Sequence, residues 1–206
     1  MTVLEQVNSG STRVILGSKS PRRYELLYQV IPDFEVRRLE CEESYPMDLK
    51  GGDIAIYLSQ LKSSAFAERE SNAMLITADT IVWMNDRIYE KPKTTSKAEE
   101  MLAELSGNQH HVFTGVTLRM GNISQSFVSD TLVKFEKFSV QSIAEYVAAY
   151  NPLDKAGAYG IQDCLGEDGK QTGPLSMSIE MGSYSNVVGL PIEDLKIGRA
   201  SCRERV

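Results

Sequence analysis

Two groups of residues in this sequence could do chemistry together: a carboxylate set inside an apolar run, and a set of cations at the start of a helix. Asp79 interrupts Met74-Leu75-Ile76-Thr77-Ala78-Asp79-Thr80-Ile81-Val82-Trp83, a stretch that is otherwise nearly all apolar. A buried carboxylate without a partner is costly and would stay protonated, so Asp79 calls for a cation, a donor network or a metal ion. The plainer reading is a carboxylate bonded to nearby backbone N–H groups, or a strand end less buried than its composition suggests. The cations lie in Gly17-Ser18-Lys19-Ser20-Pro21-Arg22-Arg23. Ser20 is a natural N-cap and Pro21 suits the first helical position. The free N–H groups of that first turn and the helix dipole attract an anion. Arg22 and Arg23 can each give parallel hydrogen bonds to a phosphate. The same residues also read as a solvated basic turn that caps a helix.

Further charged residues complement these two groups. Glu40-Cys41-Glu42-Glu43 directly follows an expected strand, where an α/β protein places site residues, although such a run is also a common solvated loop. If Glu42 converges with Asp79, the pair supplies the hard oxygen ligands that Mg²⁺ prefers, with water and substrate phosphate completing the shell. Lys62, Lys91 in Glu90-Lys91-Pro92 and Lys155 in Asp154-Lys155-Ala156-Gly157 are the candidate cations facing a polyanion, each readable as a surface charge as well. Gly-x-x-x-x-Gly-Lys-Ser/Thr, Gly-x-Gly-x-x-Gly and Gly-x-Ser-x-Gly are all missing, which disfavours a P-loop kinase, a dinucleotide enzyme and a serine hydrolase. Hydrolysis by a metal-activated water is the economical chemistry.

The elements that must position these residues follow from periodicity and punctuation. Arg13–Leu16 reads as a strand and the segment from Pro21 as a helix burying Leu26, Leu27 and Val30. Asp33–Leu39 reads as a second strand and Glu40–Gly52 as a loop. Ile54, Tyr57, Leu58, Leu61, Ala65 and Phe66 recur at helical spacing, which predicts an amphipathic helix from Asp53 to about Glu70 that carries Lys62. Met74–Trp83 reads as a central strand buried on both faces, with a turn at Asn85-Asp86 leading into Arg87–Tyr89. Ser96 with Glu99 predicts a capping box for a helix that runs to Leu105 before Gly107. His111–Arg119 and Ser124–Phe135 alternate as a long antiparallel hairpin, and Ser139 caps a helix ending near Tyr150, ahead of Pro152. The remainder is Gly-rich with short strands. Strands interleaved with helices and hairpins point to an α/β domain around a mixed sheet.

Bulk properties narrow the class. At 206 residues and 42% hydrophobic the chain can bury one substantial core, so a single domain with up to two lobes is expected. No run approaches the ~20 apolar residues of a membrane span, and the N-terminus lacks a secretion signal, so the expected location is the cytoplasm. Cys41, Cys164 and Cys202 show neither a disulfide framework nor paired metal-ligand spacing, and His110 and His111 are adjacent, which disfavours a structural zinc. A net charge of −6 disfavours extended binding to nucleic acid and suits a small polyanion in a local basic pocket. Residues 197–206 depart abruptly from the preceding pattern and read as a non-native tail translated from a sequencing adapter. That segment holds three Arg and one Glu, so without its +2 the charge is −8.

Taken together, the motifs resemble the Maf family of nucleoside triphosphate pyrophosphatases. The matches are Ser18–Leu27, Ala78-Asp79-Thr80-Ile81-Val82, Lys91-Pro92, Met101-Leu102 with Leu105-Ser106-Gly107, Thr114-Gly115-Val116, Asp154–Gln162, and Gly182-Ser183-Tyr184 with Val187–Pro191, in the family's order. The resemblance implies a Maf-like domain over residues 12–196, preceded by an extension over residues 1–11. Its fold would be two-lobed, an elongated mixed sheet with flanking helices and a central cleft, similar to inosine triphosphatases. It further implies cleavage of a nucleoside triphosphate to the monophosphate and pyrophosphate with Mg²⁺ or Mn²⁺. Asp79 matches the general base and would share the metal with Glu42. Ser18, Arg22, Arg23, Lys62, Lys91 and Lys155 would hold the phosphates. Arg22, Thr80 and Gln162 match the residues of members acting on dTTP and UTP, modified pyrimidine nucleotides included. Ser64 and Asn108 depart from the usual residues at their positions. A 7-methyl-GTP enzyme, or a nucleotide-binding regulator of division without turnover, is the alternative the family offers. A homodimer is also compatible with the resemblance.

Overall fold

A computed structural model describes residues 12–38, 41–66 and 72–197. The extension expected over residues 1–11 and residues 198–206 of the expected tail lie outside the described residues. Among the described residues, seven strands form one mixed sheet: β1 (Arg13–Leu16), β2 (Glu35–Val36), β3 (Ala73–Met84), β4 (Arg87–Tyr89), β5 (Gln109–Met120), β6 (Ile123–Phe135) and β7 (Met177–Met181). Their order is β2-β1-β3-β5-β6-β7, with β4 paired to β3. β1 runs parallel to β2 and β3, whereas β4 on β3 and β7 on β6 are antiparallel. The helices are α1 (Pro21–Tyr28), α2 (Gly52–Ser64), α3 (Thr95–Leu105), α4 (Val140–Tyr150), α5 (Tyr184–Val188) and α6 (Ile192–Ile197). None of the described helices is long and apolar enough to cross a membrane. Contacts group the chain into two compact units. The first holds the residues up to Asp79, Thr114–Ser129 and the residues from Gly189 onward, and the second holds Thr80–Phe113 and Asp130–Val188.

In the first unit, β1 is buried through Val14, Ile15 and Leu16 and pairs from Arg13↔Ala73 to Leu16↔Ile76, so it delivers the following turn beside the middle of β3. Helix α2 lies directly on the sheet. A Cβ at Gly115 would sit 2.2 Å from the carbonyl oxygen of Ala55, so only glycine permits that approach. Hydroxyls pin the helix further: Thr77 Oγ1 donates to the Ser59 carbonyl at 2.8 Å, and Ser59 Oγ and Thr117 Oγ1 are 2.7 Å apart. Arg119 closes the helix end, donating to the carbonyls of Ser63 (2.5 Å) and Phe66 (3.0 Å). The Ser63 carbonyl also accepts from Phe66 N at 3.3 Å, and a guanidinium suits the negative end of the helix dipole.

The second unit packs α3 and α4 beside three short 3₁₀ turns, Pro152–Asp154, Ala156–Ala158 and Ile161–Asp163. Its interior holds His110 between the rings of Phe135 and Tyr159, and Tyr146 of α4. A capping box of Ser139 and Ser142 starts α4, which ends on Asn151 in the left-handed conformation just before Pro152, as the sequence predicts.

Several elements differ from expectation. The strand expected over Asp33–Leu39 is two residues long, because β1 ends at Leu16 and offers no partner beyond the bond from Arg37 N to Leu16 O; Leu39 lies outside the described residues. Helix α2 stops at Ser64 rather than about Glu70, since Phe66 leaves the helix to join Ile15, Ala73 and Leu75 in the core; residues 67–70 lie outside the described residues. No Ser96–Glu99 capping box forms: Thr94, extended and two residues earlier, accepts from Lys97 N at 3.2 Å and becomes the N-cap. The Gly-rich remainder contains β7 together with the 3₁₀ turns, α5 and α6, whose lengths are too short to show a helical period.

Candidate active site

The first unit gathers the acid, the lysine and the two arginines. Asp79 is 7% exposed despite its charge, and Lys62 of α2 forms an ion pair with its Oδ1. The Lys62 ammonium also reaches Glu43 Oε1, at 3.0 Å. One lysine thus bridges a strand carboxylate and a loop carboxylate, and the partner that an apolar strand demands for Asp79 is a cation. Lys62 stands in this place because Arg119, Thr77 and Thr117 fix the helix that carries it.

The strand-to-helix turn forms the neighbouring element. Ser18 is nearly buried, and its Oγ accepts from Ser20 N at 3.1 Å, while Ser20 Oγ accepts from Arg23 N at 3.4 Å and caps α1. Gly17 sits so close to Phe66 and Thr77 that a Cβ there would come within 2.8 Å of each. The two arginines separate in role. Arg23 Nε donates to the Gly189 carbonyl at 2.8 Å and so ties α1 to the segment that leads into α6. Burial pulls the Arg23 guanidinium below its ordinary value; Asp79 opposes that shift, Arg22 adds to it, and Glu43 opposes it. Burial likewise raises the Cys41 thiol, with Lys62 opposing and Glu43 and Asp79 adding. Arg22, Arg23, Cys41, Glu43, Lys62 and Asp79 therefore share one electrostatic neighbourhood.

In the second unit, a different set of expected residues comes together. Val82 of β3 packs against Gly157, where a Cβ would fall 3.0 Å from it, and Gly157 N donates to the Glu90 carbonyl at 3.3 Å. That bond joins the Glu90-Lys91-Pro92 segment to the turn that carries Lys155. Thr80 lies on the same face of β3 as Val82. The Lys155 side chain is 14% exposed and its ammonium pairs with Asp154 at 2.9 Å; Lys91 is exposed. Gln162 is exposed on the turn Ile161–Asp163. Tyr146 Oη donates to Asp163 Oδ2 at 2.7 Å and accepts from Gly160 N at 2.9 Å, bracketing that turn.

Glu42 is exposed, and the neighbouring Glu43 is the loop residue that reaches Lys62. Within the acidic run, sequence reasoning named Glu42 as the partner of Asp79, whereas the member paired with Lys62 is Glu43. A one-residue choice inside a loop has no periodic signal, and only the pairing with Lys62 makes it. Tyr146, Asp163 and Arg119 were not singled out, since Tyr146 and Arg119 bond to backbone groups and Asp163 to the Tyr146 hydroxyl, contacts that composition does not reveal. Among the described residues no group of three or more His, Cys, Asp and Glu side chains is placed to hold a metal. Asp79 and Glu43 still offer two carboxylates on one lysine. Hard oxygens completed by water and phosphate are the donor set that suits Mg²⁺ or Mn²⁺.

The fold and site define an α/β protein with a basic strand-to-helix turn beside a buried, lysine-paired aspartate. The chain belongs to the Maf-like protein family, whose profile its residues 13–197 match. It is similar to the dTTP/UTP pyrophosphatase of Bacteroides thetaiotaomicron, 43% identical over 190 residues that cover 91% of this chain and 95% of the relative. The dTTP/UTP pyrophosphatase of Flavobacterium psychrophilum is 41% identical over 184 residues, 89% of this chain and 91% of its own. Among solved structures, the Staphylococcus aureus Ham1 protein aligns over 60% of this chain and 72% of its own, with a TM-score of 0.43 and 14% identity.

Proposed function

We propose that this protein hydrolyses dTTP and UTP to the monophosphate and pyrophosphate, in the cytoplasm. The observation that carries the reading is the buried Asp79 held by Lys62 beside Arg22 and Arg23 at a helix start. Relatives about 40% identical along nearly their whole length bear that activity in their names. Lys62 engages Oδ1 of Asp79, so Oδ2 is the oxygen through which the carboxylate takes the proton of the attacking water. Arg22, the first-turn N–H groups of α1 and Lys62 meet the negative charge of the triphosphate, and Lys91 and Lys155 add two further cations for it. Arg23 holds α1 in place through Gly189 and contributes its charge nearby. Asp79 and Glu43, with Glu42 next in sequence, are the residues that would hold Mg²⁺ or Mn²⁺. When bound, such an ion lowers the pKa of water and offsets phosphate charge. Arg22, Thr80 and Gln162 are the proposed discriminators of the base; the amide of Gln162 can both donate to and accept from a pyrimidine edge. The test is a panel of UTP, dTTP, CTP, ATP, GTP and 7-methyl-GTP with pyrophosphate detection. Pyrophosphate release led by UTP and dTTP is expected. Preference for 7-methyl-GTP, or release of single phosphates alone, would overturn the proposal.

A further inference from the structure

Gln162 sits at the middle of a single 3₁₀ turn, exposed between Ile161 and Asp163. Ile161–Asp163 is three residues long; Asp163 N donates to Gly160 O at 3.1 Å, and Cys164 N and Leu165 N both donate to Ile161 O, at 3.1 and 2.8 Å. Those bonds shape the turn, and a further contact on each side of Gln162 sets where the turn lies against the rest of the unit. Tyr146 supplies both. Its ring is fully buried on α4, and its hydroxyl contacts the turn at Gly160 N on one side and at the Asp163 carboxylate on the other. Burial raises the Tyr146 phenol well above its ordinary value, so it stays protonated and keeps donating to Asp163.

Lys155 is held by the same assembly. A Cβ at Gly160 would fall 2.8 Å from Asp163 Oδ2 and 3.0 Å from Lys155 Cε, so the lysine stem, the glycine and the aspartate are stacked without spare room. The hydroxyl that fixes the turn therefore also fixes the surface along which the Lys155 ammonium extends.

We propose that Tyr146, acting through Asp163 and Gly160, is the positioning residue for base discrimination, holding Gln162 in register with Lys155. The inference rests on the reading of Gln162 as the residue that meets the pyrimidine. A site built to hydrogen-bond a base rejects a wrong one strongly only when its polar groups are fixed. Tyr146 bonds on both sides of Gln162, to Gly160 N and to the Asp163 carboxylate.

The experiment measures kcat and KM for UTP and ATP in the full chain and in Tyr146→Phe, Asp163→Ala, Asp163→Asn, Gln162→Ala and the Tyr146→Phe/Gln162→Ala double variant. Tyr146→Phe removes two bonds of ordinary strength, which predicts a loss of about tenfold in the UTP-over-ATP preference, and Asp163→Ala removes one of them, which predicts a loss of about threefold. Asp163→Asn, which keeps an acceptor for the phenol, retains the preference. In the Gln162→Ala background, Tyr146→Phe lowers the preference no further, because the two residues act on one discrimination. An unchanged preference in Tyr146→Phe, equal losses for both nucleotides, or full additivity with Gln162→Ala would overturn the proposal. If the wild-type chain releases no pyrophosphate from UTP, the nucleotide reading falls instead. Amide exchange at Gly160 then decides the positioning role: at least tenfold lower protection in Tyr146→Phe supports it, and unchanged protection overturns it.

Discussion

His110 makes the folded chain acid-sensitive, by an amount that can be worked out from its surroundings. The ring is 1% exposed, Nε2 lies 2.7 Å from Tyr159 Oη, and the rings of Phe135 and Tyr159 stand edge-on at 4.7 and 5.4 Å. Burial, with a smaller contribution from the neighbouring His111, pulls His110 down from 6.5 to about 3. In the unfolded chain the same imidazole takes up a proton near pH 6.5, so below that pH the unfolded state binds more protons than the folded one. Stability from this group is therefore fully present above pH 6.5 and is lost as pH falls toward 3. At ~1.4 kcal/mol per unit, the total reaches about 5 kcal/mol at the acid limit, and about 2.5 kcal/mol goes between pH 7 and pH 4.5. The assay is urea unfolding of the wild type and of His110→Phe at both pH values. Carboxylates titrate alike in the two proteins, so the difference of differences isolates His110. The wild type is expected to lose about 2.5 kcal/mol more than the variant. Equal losses in the two proteins would refute the reasoning.

Other perturbations test the frame around the site. Gly115→Ala places a methyl 2.2 Å from the Ala55 carbonyl oxygen, and should lower stability by ~3 kcal/mol or more in thermal melts, whereas an unshifted melt would show that α2 does not press on the sheet there. Arg119→Ala removes the guanidinium bonds to the Ser63 and Phe66 carbonyls and should cost about 1–3 kcal/mol by denaturant titration, together with slower turnover as Lys62 loses its fixed helix end. Ser139→Ala removes the N-cap of α4 at a cost of about 1 kcal/mol, and since that helix carries Tyr146, its UTP-over-ATP preference should weaken in parallel.

How far the sequence spoke for itself differs between the parts of the fold. Strand β3, helix α4 and the β5–β6 pair were legible because each is long enough to display its period and is bounded by strong punctuation: Gly121 at the hairpin tip, Ser139 at one helix start and Pro152 beyond its end. Asp79 was legible for a different reason, since a carboxylate in an apolar run needs a partner whatever the fold. The identity of that partner was left open among a cation, a donor network and a metal; Lys62, seventeen residues earlier, meets Asp79 only because α2 crosses β3. Thr94 won the cap over Ser96 through a backbone conformation that neither hydroxyl announces. Glu42 was named from the acidic run, but nothing in a loop's sequence shows that it is Glu43 that pairs with Lys62. The bracket around Gln162 was hidden altogether, because Tyr146 reads as a core aromatic and only its hydroxyl, aimed at a backbone N–H and a carboxylate, shows the second task.

In the proposed reaction Asp79 is the group that takes the proton of the attacking water. The most direct measurement follows UTP with Mg²⁺ by phosphorus NMR, for the wild type and for Asp79→Asn, which preserves shape and removes the base. The account predicts UMP and pyrophosphate in equal amounts from the wild type, and a rate at least ~10² lower from the variant. UDP with orthophosphate as the products, or an undiminished rate in Asp79→Asn, would contradict it.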